Sequence, residues 1–280
     1  MAVTEFRASP VRRFRRYLRI YGRITALNLR ARLQYRGEFA LEVCNGIAWQ
    51  ASVVIFTSVL ITQFPGLGGW SAGGLLLIVS MRMFCHSFFV LFFFNVMRVP
   101  FLVHDGKIDG FLVRPFPVYS QVLLSSCCIN AFGDMTVAVA LFVAATKRLS
   151  LAWTPGAILF LVAALLGGVL LEAAVQTALA CVSLRFPGSD TLSSWVGDLM
   201  ATFGNYPLTI FPGALRLTFT FVLPVAFVAY LPAAVLVGDV HDSGISAPLT
   251  LLSPLVGLLA FFAAKSLWKR SLRMYRSPGG

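Results

Sequence analysis

Six polar side chains interrupt long apolar runs, and what they pair with is the first question this chain raises. Arg82 and His86, Asn130 and Asp134, and Glu172 and Gln176 each stand four residues apart. That spacing puts each pair on one face of a helix, one turn apart. A charge left alone in hydrocarbon costs at least a few kcal/mol, so these groups face protein or water. Two chemistries fit them. One is a buried ion pair that fixes helix register; the other is a polar stripe along the route of a solute. One arginine with one aspartate neutralises itself and leaves little to hold a charged solute.

A second polar constellation is "VHDGKIDGFLVRPFPVYSQ", Val103 to Gln121, between two apolar runs. Asp105 is placed to cap a short helix, Ile108, Phe111 and Leu112 form an apolar stripe, and Arg114-Pro115 stops it. Gly106 supplies a turn beside Lys107, and Asp109 adds a second carboxylate. A compact amphipathic helix pressed on the membrane face would transmit force to the spans it joins. An ordinary solvated connector is the alternative reading.

Enzyme chemistry finds no support. There is no G-x-x-x-x-G-K-[ST] phosphate loop, no H-E-x-x-H and no G-x-S-x-G. His86, His104 and His241 are far apart in sequence, and no cluster has metal-ligand spacing, so no metal is expected. Five cysteines in or beside apolar runs read as small packing residues rather than as a disulfide framework or zinc site.

The elements that must position these residues follow from composition. The chain has 280 residues, 58% hydrophobic and 12% charged, about half the charge usual in soluble domains. Apolar runs near twenty residues recur, each about long enough to cross a ~30 Å hydrocarbon layer as a helix. The expected fold is an all-α integral membrane protein with six transmembrane helices and an N-terminal amphipathic interfacial helix. The spans are placed at about Phe39–Thr62, Ala72–Met97, Tyr119–Thr146, Pro155–Ser183, Leu215–Val237 and Pro248–Trp268. Between the fourth and fifth, "TLSSWVGDLMATFGNYPLTIFPGAL" is broken by Pro207 and Pro212 and reads as an interfacial or partly inserted helix. The chain therefore divides into a basic N-terminal helix (1–38), a six-span domain (39–268) with a loop at 98–118, and a basic tail (269–280).

Charge orients these spans. Ten of the 23 basic residues precede position 37 and five follow position 264, so both termini are expected in the cytoplasm. This distribution also explains the net charge of +12 without nucleic acid. The Arg-Arg pairs near the start are followed by further arginines and a spanning-length run, which argues against a cleaved signal. Val11, Phe14, Leu18, Tyr21, Ile24 and Leu27 recur at helical spacing, as in a helix lying in the interface. With this topology, the depths of Arg82 and Asp134 agree within about one turn, so these two are expected to pair. Glu172 and Gln176 lie deeper toward the cytoplasm, within partial reach of the long arginine. Trp70, Trp153, Trp195 and Trp268 stand near span ends, where indoles straddle lipid and water. Gly69 with Gly73, and Ala163 with Gly167, have the small-residue spacing of close helix contacts, and Pro224 and Pro232 are expected to bend the fifth span.

Three stretches together carry a resemblance. "DGKIDGFLVRPFPVYSQVL" looks like the segment after the second span in ABC-2 type permeases, the membrane subunits of one class of ABC exporter. Gly106, Lys107, Ile108, Asp109, Leu112, Arg114 and Pro115 match its pattern. "YPLTIFPGALRLTFTFVLPVAFVAYLP" and the closing "WKRSLRMYRSPGG" resemble a bacterial subfamily of these proteins. The resemblance implies a second copy or a related subunit, two ATPase partners that bind ATP and Mg, and a bacterial inner-membrane location. It further implies that Asp105, Gly106, Lys107, Asp109, Arg114 and Pro115 couple to the ATPases. A proton-coupled secondary transporter using Asp134 or Glu172, and an ATPase anchor without transport, are the rival classes; the absence of an inverted repeat weighs against the first.

Overall fold

The computed structural model describes residues 19, 22–24, 26–28, 30–31, 33–64, 66–126, 128–149, 151–186, 188–238 and 247–275. Every regular element among them is helical. Helix α1 is Arg36–Gln63 and α2 is Ala72–Phe93, extended by a 3₁₀ turn at Phe94–Arg98 into α3, Val99–His104. Then come α4 (Lys107–Leu112), α5 (Val118–Leu123), α6 (Asn130–Arg148), α7 (Pro155–Arg185) and α8 (Asp190–Phe203). The chain closes with α9 (Gly213–Leu217), α10 (Tyr230–Val237), α11 (Ala247–Leu251) and α12 (Ser253–Arg273). Among the described residues three helices are long and apolar enough to cross a membrane: α1, the α2–α3 run and α7.

Local chemistry sets the starts. The Ser71 hydroxyl accepts from the Gly74 N–H at 3.1 Å ahead of α2, and Thr154 does the same for Ala157, with Pro155 in the first turn of α7. Packing then rests on glycines. A Cβ at Gly167 would lie 2.6 Å from the Pro254 Cα, and one at Gly257 would run into the Gly167 carbonyl, so α7 and α12 touch backbone to backbone. Gly46 of α1 meets the Asn130 carbonyl, and Gly133 of α6 meets that of Val43, in the same way. The expected role of Gly167 thus has a partner, Gly257, on another helix. Gly69 instead has φ +84° in a turn, a conformation glycine tolerates, and packs on no helix.

Two expected spans take a different form. The run from Tyr119 to Thr146 is not continuous: α5 stops at Leu123 and α6 restarts at Asn130. The Ser125 hydroxyl donates back to the Val122 carbonyl, and Asn95 from the 3₁₀ turn captures the freed carbonyls, donating to Leu123 (2.9 Å) and Ser126 (2.7 Å). The second departure concerns Leu215–Val237. Helix α8 leaves the end of α7 and the chain reaches the Leu67–Gly69 turn by Thr209, whose hydroxyl donates to the Gly68 carbonyl at 2.8 Å. The traverse of the bundle therefore falls in 190–210. Residues 213–237 form a broken hairpin: α9, a π-turn at Thr218–Val222, a break at Pro224, and α10. Pro224 ends a helix, while Pro232 sits in the first turn of α10, where a proline does no harm.

Trp70 and Trp268 stand buried in the protein and do not straddle lipid and water. They are 5% and 2% exposed, packed against Tyr230 and Tyr119 with ring centroids 5.6 and 5.3 Å apart. Trp153 and Trp195 are exposed. The described positions between 19 and 34 are helical, and Asn28 among them donates to the Leu124 carbonyl at 2.9 Å. Val11, Phe14, Leu18, Tyr21 and His241 lie outside the described residues.

Candidate functional site

The centre of the bundle holds a buried charge cluster. Arg82 of α2 pairs with Glu172 of α7, Nη1 to Oε2 at 3.0 Å, with both side chains almost wholly buried. The second Glu172 oxygen, Oε1, lies 2.7 Å from His86 Nδ1, so one carboxylate bridges two residues a turn apart. Arg82 Nη2 also donates to the Met200 carbonyl of α8 at 3.4 Å, and the guanidinium enters only because residue 204 is glycine: a Cβ there would sit 2.7 Å from Nε. Arg82 Nε has no hydrogen-bond partner.

The expected Arg82–Asp134 pair does not form. That depth count placed the outer end of the third span at Thr146, whereas α6 runs on to Arg148. Asp134 is as far from Arg148 as His86 is from Ala72, so it comes level with His86 and not with Arg82. It faces the His86 ring and the buried Gln50 amide of α1. Arg82 uses its long stem to reach the deeper carboxylate. Gln50 was legible as a polar residue in an apolar run; the Met200 carbonyl and Gly204 were not, because backbone groups leave no mark in residue type. The remaining two residues go elsewhere. Gln176 is buried and turned toward α8, lining a cavity of about 180 Å³ with Asp190, Ser193 and Arg98. Asn130, the first residue of α6, borders a larger cavity beside the helix break.

At one end of the bundle, α3, α4 and α5 fold into a compact cap. Ile108, Val103, Val118 and Tyr119 are buried with Ala180, Leu184 and Trp268, so the cap rests on the ends of α7 and α12. Gln121 Nε2 staples it by donating to the carbonyls of Phe111 (2.9 Å) and Phe116 (2.6 Å). Lys265 of α12 lies 3.5 Å from the centroid of the Tyr119 ring, a cation–π contact. The cap of α4 is Gly106, at φ +66°, and not Asp105. Asp105 instead ends α3 and takes Lys107 Nζ at 2.8 Å, which lowers its pKa, with His104 adding to the effect. Asp109 turns inward to the tail: burial, then its charge, raises the pKa of the Tyr275 phenol. Arg114 lies over the Phe111 ring at 5.6 Å, and Val113 and Leu112 are exposed beside it. The stripe is real at Ile108 and Phe111 but ends before Leu112.

Among the described residues no group of histidines, cysteines and carboxylates is arranged to hold a metal ion. The family model described as "ABC-2 family transporter protein" matches residues 47–279. The chain belongs to that family. Neither a curated protein nor a solved structure matches it. As an ABC-2 family member it is the membrane permease component of an ABC transporter, a subunit whose family carries no ATPase of its own and works with ABC ATPase partners. In this ABC-2 permease the buried cluster and the cap are linked by α7, which carries Glu172 at its middle and Ala180 and Leu184 under the cap.

Proposed function

We propose that the chain is the translocating subunit of an ATP-driven bacterial exporter, acting as a dimer of this chain or with a related subunit. Two ATPases, binding ATP and Mg, press on the cap at 103–117 and on the N-terminal helix. Six crossings carry it: α1, the α2–α3 run, the α5–α6 pair, α7, the stretch 190–210, and α12. Both termini face the cytoplasm of an inner-membrane protein. Arg98, Lys107, Arg114, Arg185, Lys269 and Arg270 lie at the cap end, against Lys147, Arg148 and Arg216 at the other, which supports that orientation.

One observation carries the coupling: Ile108 is fully buried in a cluster that includes Ala180 and Leu184 of α7 and Trp268 of α12, while Lys107 of the same helix and Val113 and Arg114 just after it stand exposed. A rigid foot with a mixed apolar and charged sole suits a partner protein, and displacement of α4 would pass to α7 and α12 through that shared cluster. Arg114, Val113 and Lys107 are the contact surface; Asp109 and Asp105 hold the foot's shape. The test is charge reversal, Arg114→Glu with Lys107→Glu, in the purified complex. ATPase association should fall at least tenfold and substrate-stimulated hydrolysis should be lost, with thermal stability unchanged. Unchanged association and stimulation would sink the assignment.

A further inference from the structure

Gln176 of α7 is 4% exposed, yet its side-chain amide makes no hydrogen bond among the described residues. A buried amide without a partner is costly, and such groups ordinarily meet one. This amide opens into the cavity of about 180 Å³ between the junction of α2 with α3 and the start of α8. It lies against α8 at Gly197, where a Cβ would stand 3.7 Å from Gln176 Nε2. The volume is below the ~300–1,000 Å³ usual for drug-sized ligands, so the cavity suits a small molecule or one end of a larger one.

The rest of the wall is rich in acceptors. Asp190 supplies a carboxylate that pairs with no described residue. The Ser193 and Ser194 hydroxyls donate to the carbonyls of Ser189 (3.3 Å) and Asp190 (3.1 Å), which leaves both oxygens as acceptors. Phe94, Met97 and Phe101 form an apolar side. Arg98 is the cation of this wall; it is exposed, and its Nη1 donates at 3.3 Å to Ser126 Oγ of the break between α5 and α6. An amide oxygen, two hydroxyl oxygens and a carboxylate beside aromatic rings fit a group that carries positive charge and donates several hydrogen bonds.

The same carboxylate begins a stripe. Asp190, Ser194, Asp198 and Thr202 follow one another at four-residue spacing along α8, the last three exposed. Asp198 pairs with no described residue. It comes two residues before Met200, whose carbonyl takes Arg82 in the buried cluster. A lone carboxylate is costly in hydrocarbon, so with 190–210 as a crossing this face of α8 meets water or protein. Beyond it, Asn205 borders a small cavity with His86 and Gln50. The stripe thus runs from the cap end to the middle of the bundle.

We infer that the cavity beside Gln176 binds a small molecule through its primary ammonium group. Asp190, the Gln176 carbonyl oxygen and the serine oxygens take the three hydrogens, and Phe94, Met97 and Phe101 hold the apolar body. In one respect the inference rests on the permease reading, namely that this ligand is the solute: a primary amine that enters at the cap end and passes Asp198 along α8.

The experiment titrates phenethylamine into the purified full chain in detergent, without ATPases, by isothermal calorimetry at neutral pH. Saturable binding of one amine per chain is expected. Asp190→Asn should weaken it about tenfold and Gln176→Leu about fivefold. Because the Gln176 amide has no hydrogen bond to lose, the melting temperature of Gln176→Leu should not fall. The quaternary trimethylammonium analogue keeps the charge and the ring but has no N–H, and should bind about tenfold more weakly. Arg98→Gln should not weaken binding. No saturable binding, or binding that neither Gln176→Leu nor Asp190→Asn changes, overturns the site. Equal affinity for the quaternary analogue overturns recognition through the ammonium hydrogens, and a loss with Arg98→Gln as large as with Asp190→Asn overturns the amine as the group read. In the complex with its ATPases, phenethylamine should stimulate hydrolysis in the natural chain and not in Asp190→Asn. Binding without stimulation, in a complex from which cap charge reversal still releases the ATPases, overturns the amine as solute and leaves the coupling standing.

Discussion

Arg82–Glu172 and Lys107–Asp105 are the same kind of contact at nearly the same separation, 3.0 and 2.8 Å, in opposite settings. The first has both side chains almost wholly buried at the middle of the bundle; the second stands in the open at its end. In water the attraction of such a pair is largely cancelled by screening and lost side-chain entropy. Away from water each charge has given up its hydration, so either partner alone becomes a liability. The buried pair is therefore a constraint on how α2 and α7 pack, whereas the exposed pair shapes a surface and adds little to stability. Position, not residue type, separates a register device from a contact surface.

The largest break in this contrast is Glu172→Gln, which leaves the Arg82 charge buried without a counter-charge. It should cost about 3–5 kcal/mol in denaturant unfolding of the purified chain. A loss below about 1 kcal/mol would mean that water reaches the cluster. Exchanging the pair, Arg82→Glu with Glu172→Arg, sharpens the question. Rescue of both stability and transport marks a register device, while rescue of stability alone marks the cluster as part of the solute's path.

Between the extremes lies Asn95, a buried amide serving two backbone carbonyls at the helix break. Asn95→Ala should cost about 1–3 kcal/mol and raise amide hydrogen exchange around residues 124–129. Unchanged exchange there would show that the break holds itself. The smallest effect belongs to Asp105→Asn. The folded pKa of Asp105 is lowered by Lys107, so any stabilisation is present above the unfolded pKa and lost as pH falls through the folded one. Because the carboxylate is exposed, melting curves of the natural chain and Asp105→Asn should coincide from neutral pH down through that window. A gap that opens on going up from acid would overturn the contrast from the other side.

Much of the architecture was legible because hydrophobic runs and glycine spacing act locally. The apolar runs mark α1, α2 and α7, and Gly167 marks a close crossing without naming Gly257 as its partner. The polar residues stood out for the cost of burying them. What failed was depth. The count that joined Arg82 to Asp134 assumed an unbroken span ending at Thr146, and the long Arg82 stem reaches past His86 to a carboxylate a simple level comparison ranked second. The expected fifth span departs for a related reason, since hydropathy does not show where the π-turn and Pro224 break an apolar run.

By itself the sequence determined that this is a helical protein with membrane-spanning apolar runs, and which residues are too polar to face lipid. Composition suffices for that, because the solvent preference of each segment is a property of its own residues. Only the tertiary structure decided that Glu172 bridges Arg82 and His86, that Asp109 turns to Tyr275, and that Gly204 admits the guanidinium. Those outcomes depend on helix breaks and backbone crossings between distant segments, and no local pattern encodes the distance between two helices.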